Sequence, residues 1–238
     1  MKKSKTRIYI KKQISSNLLI YIKDKQHHFL KNVMRVKIND CVRIFDGRTG
    51  EWDSKVLSIN RDSIVLSVVK KIKDFPDKSS DIWLIFSPIK LQRINIVIQK
   101  ATELGVTRFI PILTERTIVR RINQKRISKI IIEASEQSNR LKIPKLEEIV
   151  KLDNFLKSNQ KINIIFGDLN TNNSSLNIIK NTEPLCVLIG PEGDFTEKEK
   201  EKILELKNLI PLKINENILR SETAAISMIS IATFNLLS

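Results

Sequence analysis

The spacing of apolar residues changes near residue 80, and that change constrains the fold more than any other feature of the chain. Up to about residue 73, apolar and polar residues alternate in short runs: "RIYI", "DCVRIFD", "EWDSKVLSIN" and "DSIVLSVVKKI". Period two places successive side chains on opposite faces of a strand, so each run predicts a half-buried strand. Turn signals at Asn39-Asp40 and Asp46-Gly47 separate them. Among them, "KDKQHHFLKNVMRV" sets Phe29, Leu30, Val33 and Met34 at helical spacing and predicts one short helix. Many short strands of this kind predict a small barrel.

From residue 81 the strands read instead as unbroken apolar runs, "IWLIFSPI", "RFIPIL", "INIIFGD" and "LCVLIGP", alternating with helical segments. A strand apolar on both sides needs cover on both faces. The expected fold is therefore α/β, a mostly parallel sheet with helices on both faces, preceded by a small β-barrel domain. "QRINIVIQKATELG" predicts a helix with Ile94, Val97, Ile98 and Ala101 on one face and Gly105 as its stop. "QKRISKIIIEASEQ" predicts another, with Ile127, Ile130, Ile131 and Ala134 aligned. Thr196 with Glu199 forms a capping box ahead of "EKEKEKILELK", and Ser221 is the expected cap of "ETAAISMISIATFNLL". The polar stretch "KDFPDKSSD" separates the two rhythms. The expected division is a domain over residues 1–73, a linker over 74–80 and a second domain over 81–238.

Charge is divided as unevenly as pattern. Residues 1–75 hold 18 Lys/Arg against 7 Asp/Glu, whereas the remaining 163 hold 24 against 19, within a total of +16. A basic surplus concentrated in one third of the chain is the footprint of a polyanion binder, nucleic acid before membrane, because no strongly amphipathic basic helix is present. A lysine-rich solvated surface is the plainer alternative. No apolar run approaches the ~18 residues that cross a bilayer. The N-terminus lacks the apolar core of a signal peptide, and Cys41 and Cys186 stand far apart in no metal-ligand spacing. A cytoplasmic protein without a metal site is expected.

Glycine is scarce, and its positions exclude much chemistry. The six glycines fall at 47, 50, 105, 167, 190 and 193. This set contains no G-x-G-x-x-G dinucleotide fingerprint, no G-x-x-x-x-G-K-[ST] phosphate loop and no G-x-S-x-G elbow. His27-His28 is the only histidine pair, and adjacent residues point different ways. What remains is "LIGPEGDF", two glycines and a proline at the end of a buried strand, where ligands of parallel sheets bind. Bare backbone there admits a ligand, although a plain strand-to-helix turn accounts for the same residues. "ENILRSETAA" lies about 25 residues later and places Arg220, Glu222 and Thr223 beside exposed helix-start amides. Taken alone, Ser221 and Glu222 are merely good capping residues.

Taken in order, "QKATELGVTRFIPILTERT", "EASEQSNRLKIP", "LIGPEGDFTEKE" and "ILRSETAA" strongly resemble the ribosomal RNA small-subunit methyltransferase E family, a branch of the SPOUT superfamily of knotted methyltransferases. "HHFLKNVMRVKINDCVRIFDGRTGEW" resembles that family's PUA-like RNA-binding barrel. The resemblance covers nearly the whole chain. It implies methyl transfer from S-adenosylmethionine to N3 of a uridine in the decoding region of 16S rRNA in the small ribosomal subunit, a C-terminal trefoil knot and a homodimer. Carried over by position, the cofactor pocket falls on Phe166 and Gly167, on Gly190, Pro191, Glu192 and Gly193, and on Ile218, Leu219, Arg220, Glu222, Thr223 and Ala224. The chain departs from the family's pattern at Asp194 and Asn139, where glycine is usual, and in the "INEN" lead into Ile218.

Uracil N3 must lose its proton before it attacks a methyl group, and the flanking carbonyl oxygens take up the charge. Arg220 is the expected stabiliser of that anion, or alternatively a phosphate clamp or ion-pair partner of Glu222. Glu192 and Glu222 are candidate bases by position, with a water or hydroxide as the alternative. Basic positions expected near phosphate are Arg7, Lys11, Lys12, Arg35, Arg43, Arg48 and Arg140.

Overall fold

The computed structural model describes residues 6–76, 81–174 and 184–237. Residues 77–80 of the expected linker lie outside them. The chain forms two compact units, Met1–Lys78 with Ser135–Ile143, and Ser79–Ala134 with Pro144–Ser238.

The first unit holds β1 (Arg7–Tyr9), β2 (Leu19–Ile22), α1 (Asp24–His28), a π-helical turn (Phe29–Val33), β3 (Cys41–Phe45), β4 (Glu51–Ile59) and β5 (Ile64–Lys73). Its five-stranded sheet runs β1-β3-β4-β5-β2, with β1 parallel to β3 and every other pair antiparallel. Among the described residues β1 and β2, at the two ends of this order, form no ladder with each other. The period-two pattern works as expected: Ile64, Leu66 and Val68 of β5 point into one core with Val42, Ile44, Trp52 and Val56. Ile8, Ile20, Ile22 and Leu30 complete it.

The expected single helix over 23–36 is instead broken. The Met34 amide donates to the Phe29 carbonyl five residues back, at 2.9 Å, which widens the turn. Widening rotates the apolar stripe off the core, so only Leu30 is buried while Val33 and Met34 are exposed.

The segment Ser135–Ile143 joins this unit through Arg7. Its guanidinium donates to the carbonyls of Ser135 at 2.7 Å and Arg140 at 2.6 Å, and the Tyr9 amide donates to Glu136 Oε1 at 2.8 Å.

The second unit is built from β6 (Ile82–Phe86), α2 (Leu91–Glu103), β7 (Val106–Leu113), α3 (Gln124–Gln137), which runs on into the segment just described, β8 (Lys145–Leu146), β9 (Val150–Lys151), α4 (Leu152–Ser158), β10 (Asn163–Gly167), β11 (Leu185–Ile189), α5 (Glu197–Leu204), β12 (Leu209–Leu212) and α6 (Ser221–Leu237). All its strand pairs are parallel, in the order β12-β10-β11-β6-β7-β8, with β9 also on β7. One sheet face packs Ile85, Ile110, Ile164, Phe166, Cys186 and Leu188 against Phe155 and Leu156 of α4 and Ile203 of α5. α6 packs on α2, β6, β10 and β11, burying Ala225, Met228, Ile229 and Ala232. Full burial of such side chains contributes about 1.5–3 kcal/mol each for the larger ones.

Local signals place the helix ends. Gly105 stands at φ +111 after α2, a backbone that costs glycine little. Thr196 and Glu199 make the expected capping box at the start of α5. α6 begins at Ser221 itself, so the expected cap lies inside its first turn, with the Ala224 amide donating to the Arg220 carbonyl at 2.9 Å.

Candidate functional site

Because β12, β10 and β11 are adjacent and parallel, their carboxyl ends open on one side, and the three loops that follow converge there. Together with α5 and the first turns of α2 and α6 they enclose a cavity of about 600 Å³. Phe166, Leu188 and Met228 give it an apolar floor, and Asp168, Glu192, Asp194 and Arg220 are among the polar groups around it.

The β10 loop is tied to its neighbour by the Asp168 amide, which donates to the Leu212 carbonyl at 3.1 Å. The β11 loop is a tight turn in which the Asp194 amide donates to the Pro191 carbonyl at 3.0 Å. Gly190 is bare for a reason of packing: a Cβ there would lie 2.7 Å from Phe195 Cε2. Phe195 is fully buried, with its ring centroid 5.8 Å from that of Phe166. A Cβ on Gly193 would meet only Arg116 at 3.6 Å. Arg116 pins the end of the turn by donating to the carbonyls of Gly193 at 3.0 Å and Phe195 at 3.3 Å.

Asp194 occupies φ +61, and Asn139 φ +58. Both departures from glycine thus fall at left-handed positions, which Asn and Asp tolerate best among side-chain-bearing residues. Asp194 also accepts a hydrogen bond from the Phe195 amide at 2.8 Å and pairs with Lys200 at 2.9 Å. That side chain raises the Lys200 ammonium above its ordinary value, first through this hydrogen bond.

Of the residues singled out in the sequence, Phe166, Gly167, Gly190, Pro191, Glu192, Ile218, Leu219, Arg220 and Ala224 line the cavity together. Gly193, Glu222 and Thr223 are not part of the lining, and Gly193 and Thr223 are exposed. Arg220 is exposed and, among the described residues, no side-chain partner holds it. Glu222 pairs not with Arg220 but with Arg93, Nε to Oε1 at 3.6 Å. The same guanidinium donates to Glu192 Oε1 at 3.0 Å. Arg93 and Arg116 escape sequence reading because their partners lie 99 and 77 residues away.

The basic positions expected near phosphate divide. Lys11, Lys12, Arg35 and Arg48 are exposed. Arg7 is not: it is 8% exposed, ion-paired to Glu51 and stacked 3.6 Å over the Phe45 ring. Burial lowers its pKa despite that partner. A guanidinium so enclosed joins two parts of the first unit, where a surface position was expected. Arg43 is held by Asp53 at 3.6 Å. Arg140 is largely desolvated, and burial lowers its pKa to about 10.

Described residues contain no group of three or more His, Cys, Asp or Glu placed to hold a metal, and none of their helices is long and apolar enough to cross a membrane.

A parallel sheet carrying this cavity, preceded by a small basic unit, defines the class. Residues 76–233 match the family model described as an RNA methyltransferase domain, and residues 22–69 match an RNA methyltransferase PUA domain. By these matches and the relatives below, the chain belongs to the ribosomal RNA small subunit methyltransferase E family of RNA methyltransferases. It is 32% identical over 228 residues to the ribosomal RNA small subunit methyltransferase E of Rickettsia conorii, covering 94% of this chain and 93% of that protein. Its identity to the protein of the same name from Buchnera aphidicola (subsp. Acyrthosiphon pisum) is 31%, covering 94% and 91%. The crystal structure of the Neisseria gonorrhoeae protein of that name, bound to S-adenosyl methionine, superposes with a TM-score of 0.85 at 25% identity, over 97% of both chains.

Proposed function

We propose that this chain transfers a methyl group from S-adenosylmethionine to N3 of a uridine in 16S rRNA of the small ribosomal subunit, working in the cytoplasm as a homodimer. The carrying observation is the cavity at the carboxyl ends of β10, β11 and β12, lined by nine of the twelve positions the family resemblance assigns to the cofactor. Its volume suits a cofactor of that size. Its apolar floor suits an adenine ring, and Gly167 keeps clear a space where a Cβ would press on Met228 Sδ at 3.3 Å.

When bound, S-adenosylmethionine supplies an electrophilic methyl on a sulfonium. The chain's own work is to align uracil N3 with that methyl, exclude water and stabilise the charge on the uracil oxygens. Arg220 is exposed at the cavity and, among the described residues, its side chain has no partner to surrender, so it can meet that charge or a neighbouring phosphate. Glu192 and Glu222 remain the proton acceptors named by position. Lys11, Lys12, Arg35 and Arg48 are the exposed cations of the first unit for phosphate contact, where only charge and shape are read.

The dimer reading is supported by α6, whose sequence "SETAAISMISIATFNLL" is apolar nearly all round, with Phe234 exposed, and by exposed Leu91 and Ile96 on α2. The trefoil knot follows from the family resemblance, with α6 as the threaded segment. Incubation with labelled S-adenosylmethionine and, separately, small subunits, free 16S rRNA and tRNA tests the substrate. Label confined to tRNA would move the activity to another RNA, and no label on any would leave an RNA-binding module.

A further inference from the structure

One guanidinium ties together three elements that border the cavity. Arg93 sits in the first turn of α2, Glu192 in the turn after β11, and Glu222 in the first turn of α6. Arg93 Nη1 donates to Glu192 Oε1 at 3.0 Å, and its Nε faces Glu222 Oε1 at 3.6 Å. The cluster is half-buried, with side-chain exposures of 34% for Arg93, 22% for Glu192 and 16% for Glu222. Glu222 Oε2 is buried and has no hydrogen-bond partner among the described residues. Arg93 and Glu192 line the cavity, and Glu222 is not part of the lining.

We infer that Arg93 is a positioning residue that holds the β11 turn and the start of α6 in register, and that the net negative charge of its cluster sets a preference for a cationic sulfonium ligand. The inference rests on the methyltransferase reading above. Two carboxylates share one guanidinium, whose planar fork can serve both at once; an ammonium cannot offer that geometry. α2 also packs directly on α6, so the fork has a firm base. With one cation for two anions the cluster is net negative, and a neighbouring positive sulfur is favoured over a neutral one. Methyl transfer turns the sulfonium into a thioether, so the same charge that holds the cofactor weakens the grip on the product.

The test is titration calorimetry of wild type, R93Q, R93K and E192Q with S-adenosylmethionine and with S-adenosylhomocysteine, alongside thermal melting. R93Q is expected to weaken S-adenosylhomocysteine about tenfold, as loss of a charged hydrogen bond implies, and S-adenosylmethionine less, because the cluster becomes more negative while its positioning is lost. R93K recovers less than half of that loss. E192Q, which leaves Arg93 on Glu222, weakens S-adenosylmethionine about tenfold and S-adenosylhomocysteine less than threefold, a change in ratio that a merely structural role would not produce. Equal affinities for R93Q and wild type, full rescue by R93K, or an unchanged ratio in E192Q would overturn the inference. Wild type that binds neither ligand would instead remove the methyltransferase reading on which it stands. Should R93Q melt early, the E192Q ratio decides alone.

Discussion

Gly190→Ala is the sharpest packing perturbation the site offers. The added methyl would stand 2.7 Å from Phe195 Cε2, 3.0 Å from Cδ2 and 3.3 Å from Cζ. Carbon atoms settle near 3.5–4 Å, so either the ring or the strand end must move by roughly 1 Å. Phe195 has no slack, being 2% exposed and set in the core with Phe166, Leu188 and Ile203. Overpacking of this kind costs about 1–3 kcal/mol. At about 2–4 °C per kcal/mol for a unit of this size, the melting temperature should fall by about 2–12 °C. Phe166 and Phe195 also line the cavity, so cofactor affinity should fall with stability. Gly193→Ala is the control, because its methyl would make only an ordinary contact at 3.6 Å with Arg116. Adding Phe195→Leu to Gly190→Ala should recover part of the loss by making room. Thermal denaturation followed by circular dichroism reads all three variants. If Gly190→Ala melts with wild type, or no lower than Gly193→Ala, the packing argument is wrong.

Other perturbations probe the first unit and the thiols. Arg7→Met strands the Glu51 carboxylate in a buried site and should cost about 3–5 kcal/mol in chemical denaturation, whereas Arg7→Met with Glu51→Leu should recover only part of that, because the Ser135 and Arg140 carbonyls still lose their donor. Burial alone would raise the Asp46 carboxyl, but hydrogen bonds from the Thr49, Ile14 and Arg48 amides and the Thr49 hydroxyl outweigh it and hold the group below its ordinary value of 3.8. A depressed carboxyl contributes stability above the unfolded-state pKa and loses it as pH falls through the lower folded value. The first unit should therefore weaken in that acid range, and Asp46→Asn should flatten the dependence in pH-resolved denaturation. Cys186 is fully buried, and burial pushes its thiol up. Mass spectrometry after brief treatment with a thiol reagent should find Cys41 modified and Cys186 intact until the protein is unfolded.

The unbroken runs of β6, β7, β10 and β11 were readable as a covered parallel sheet because burial on both faces leaves no polar position to blur the pattern. Asn139 and Asp194 were legible as departures from the family's usual glycine, and both stand at left-handed angles that few other residues accept. β12 escaped notice: Pro211 interrupts "LIPL", yet at a sheet edge proline removes no needed hydrogen bond. The π-helical turn at Phe29–Val33 escaped because its apolar residues keep ordinary helical spacing. Arg7 was misplaced because a basic residue in a basic segment reads as surface. Besides Glu51, its acceptors are backbone carbonyls 128 and 133 residues away, which any residue could offer. Arg93 illustrates the same limit inside the site, since neither carboxylate it holds is near it in sequence. Local rules of period, cap and turn survive in a sequence, whereas long-range pairing by a flexible cation leaves no local trace.

The proposed methyl transfer to uridine N3 can be read directly. 16S rRNA, presented as small subunits and as free RNA, is incubated with the protein and methyl-labelled S-adenosylmethionine, then digested to nucleosides and fragments for mass spectrometry. The account predicts one labelled 3-methyluridine in the decoding region, strongly reduced in Arg220→Ala. Label on another base atom, on another RNA, or undiminished in Arg220→Ala with RNA affinity unchanged would contradict it.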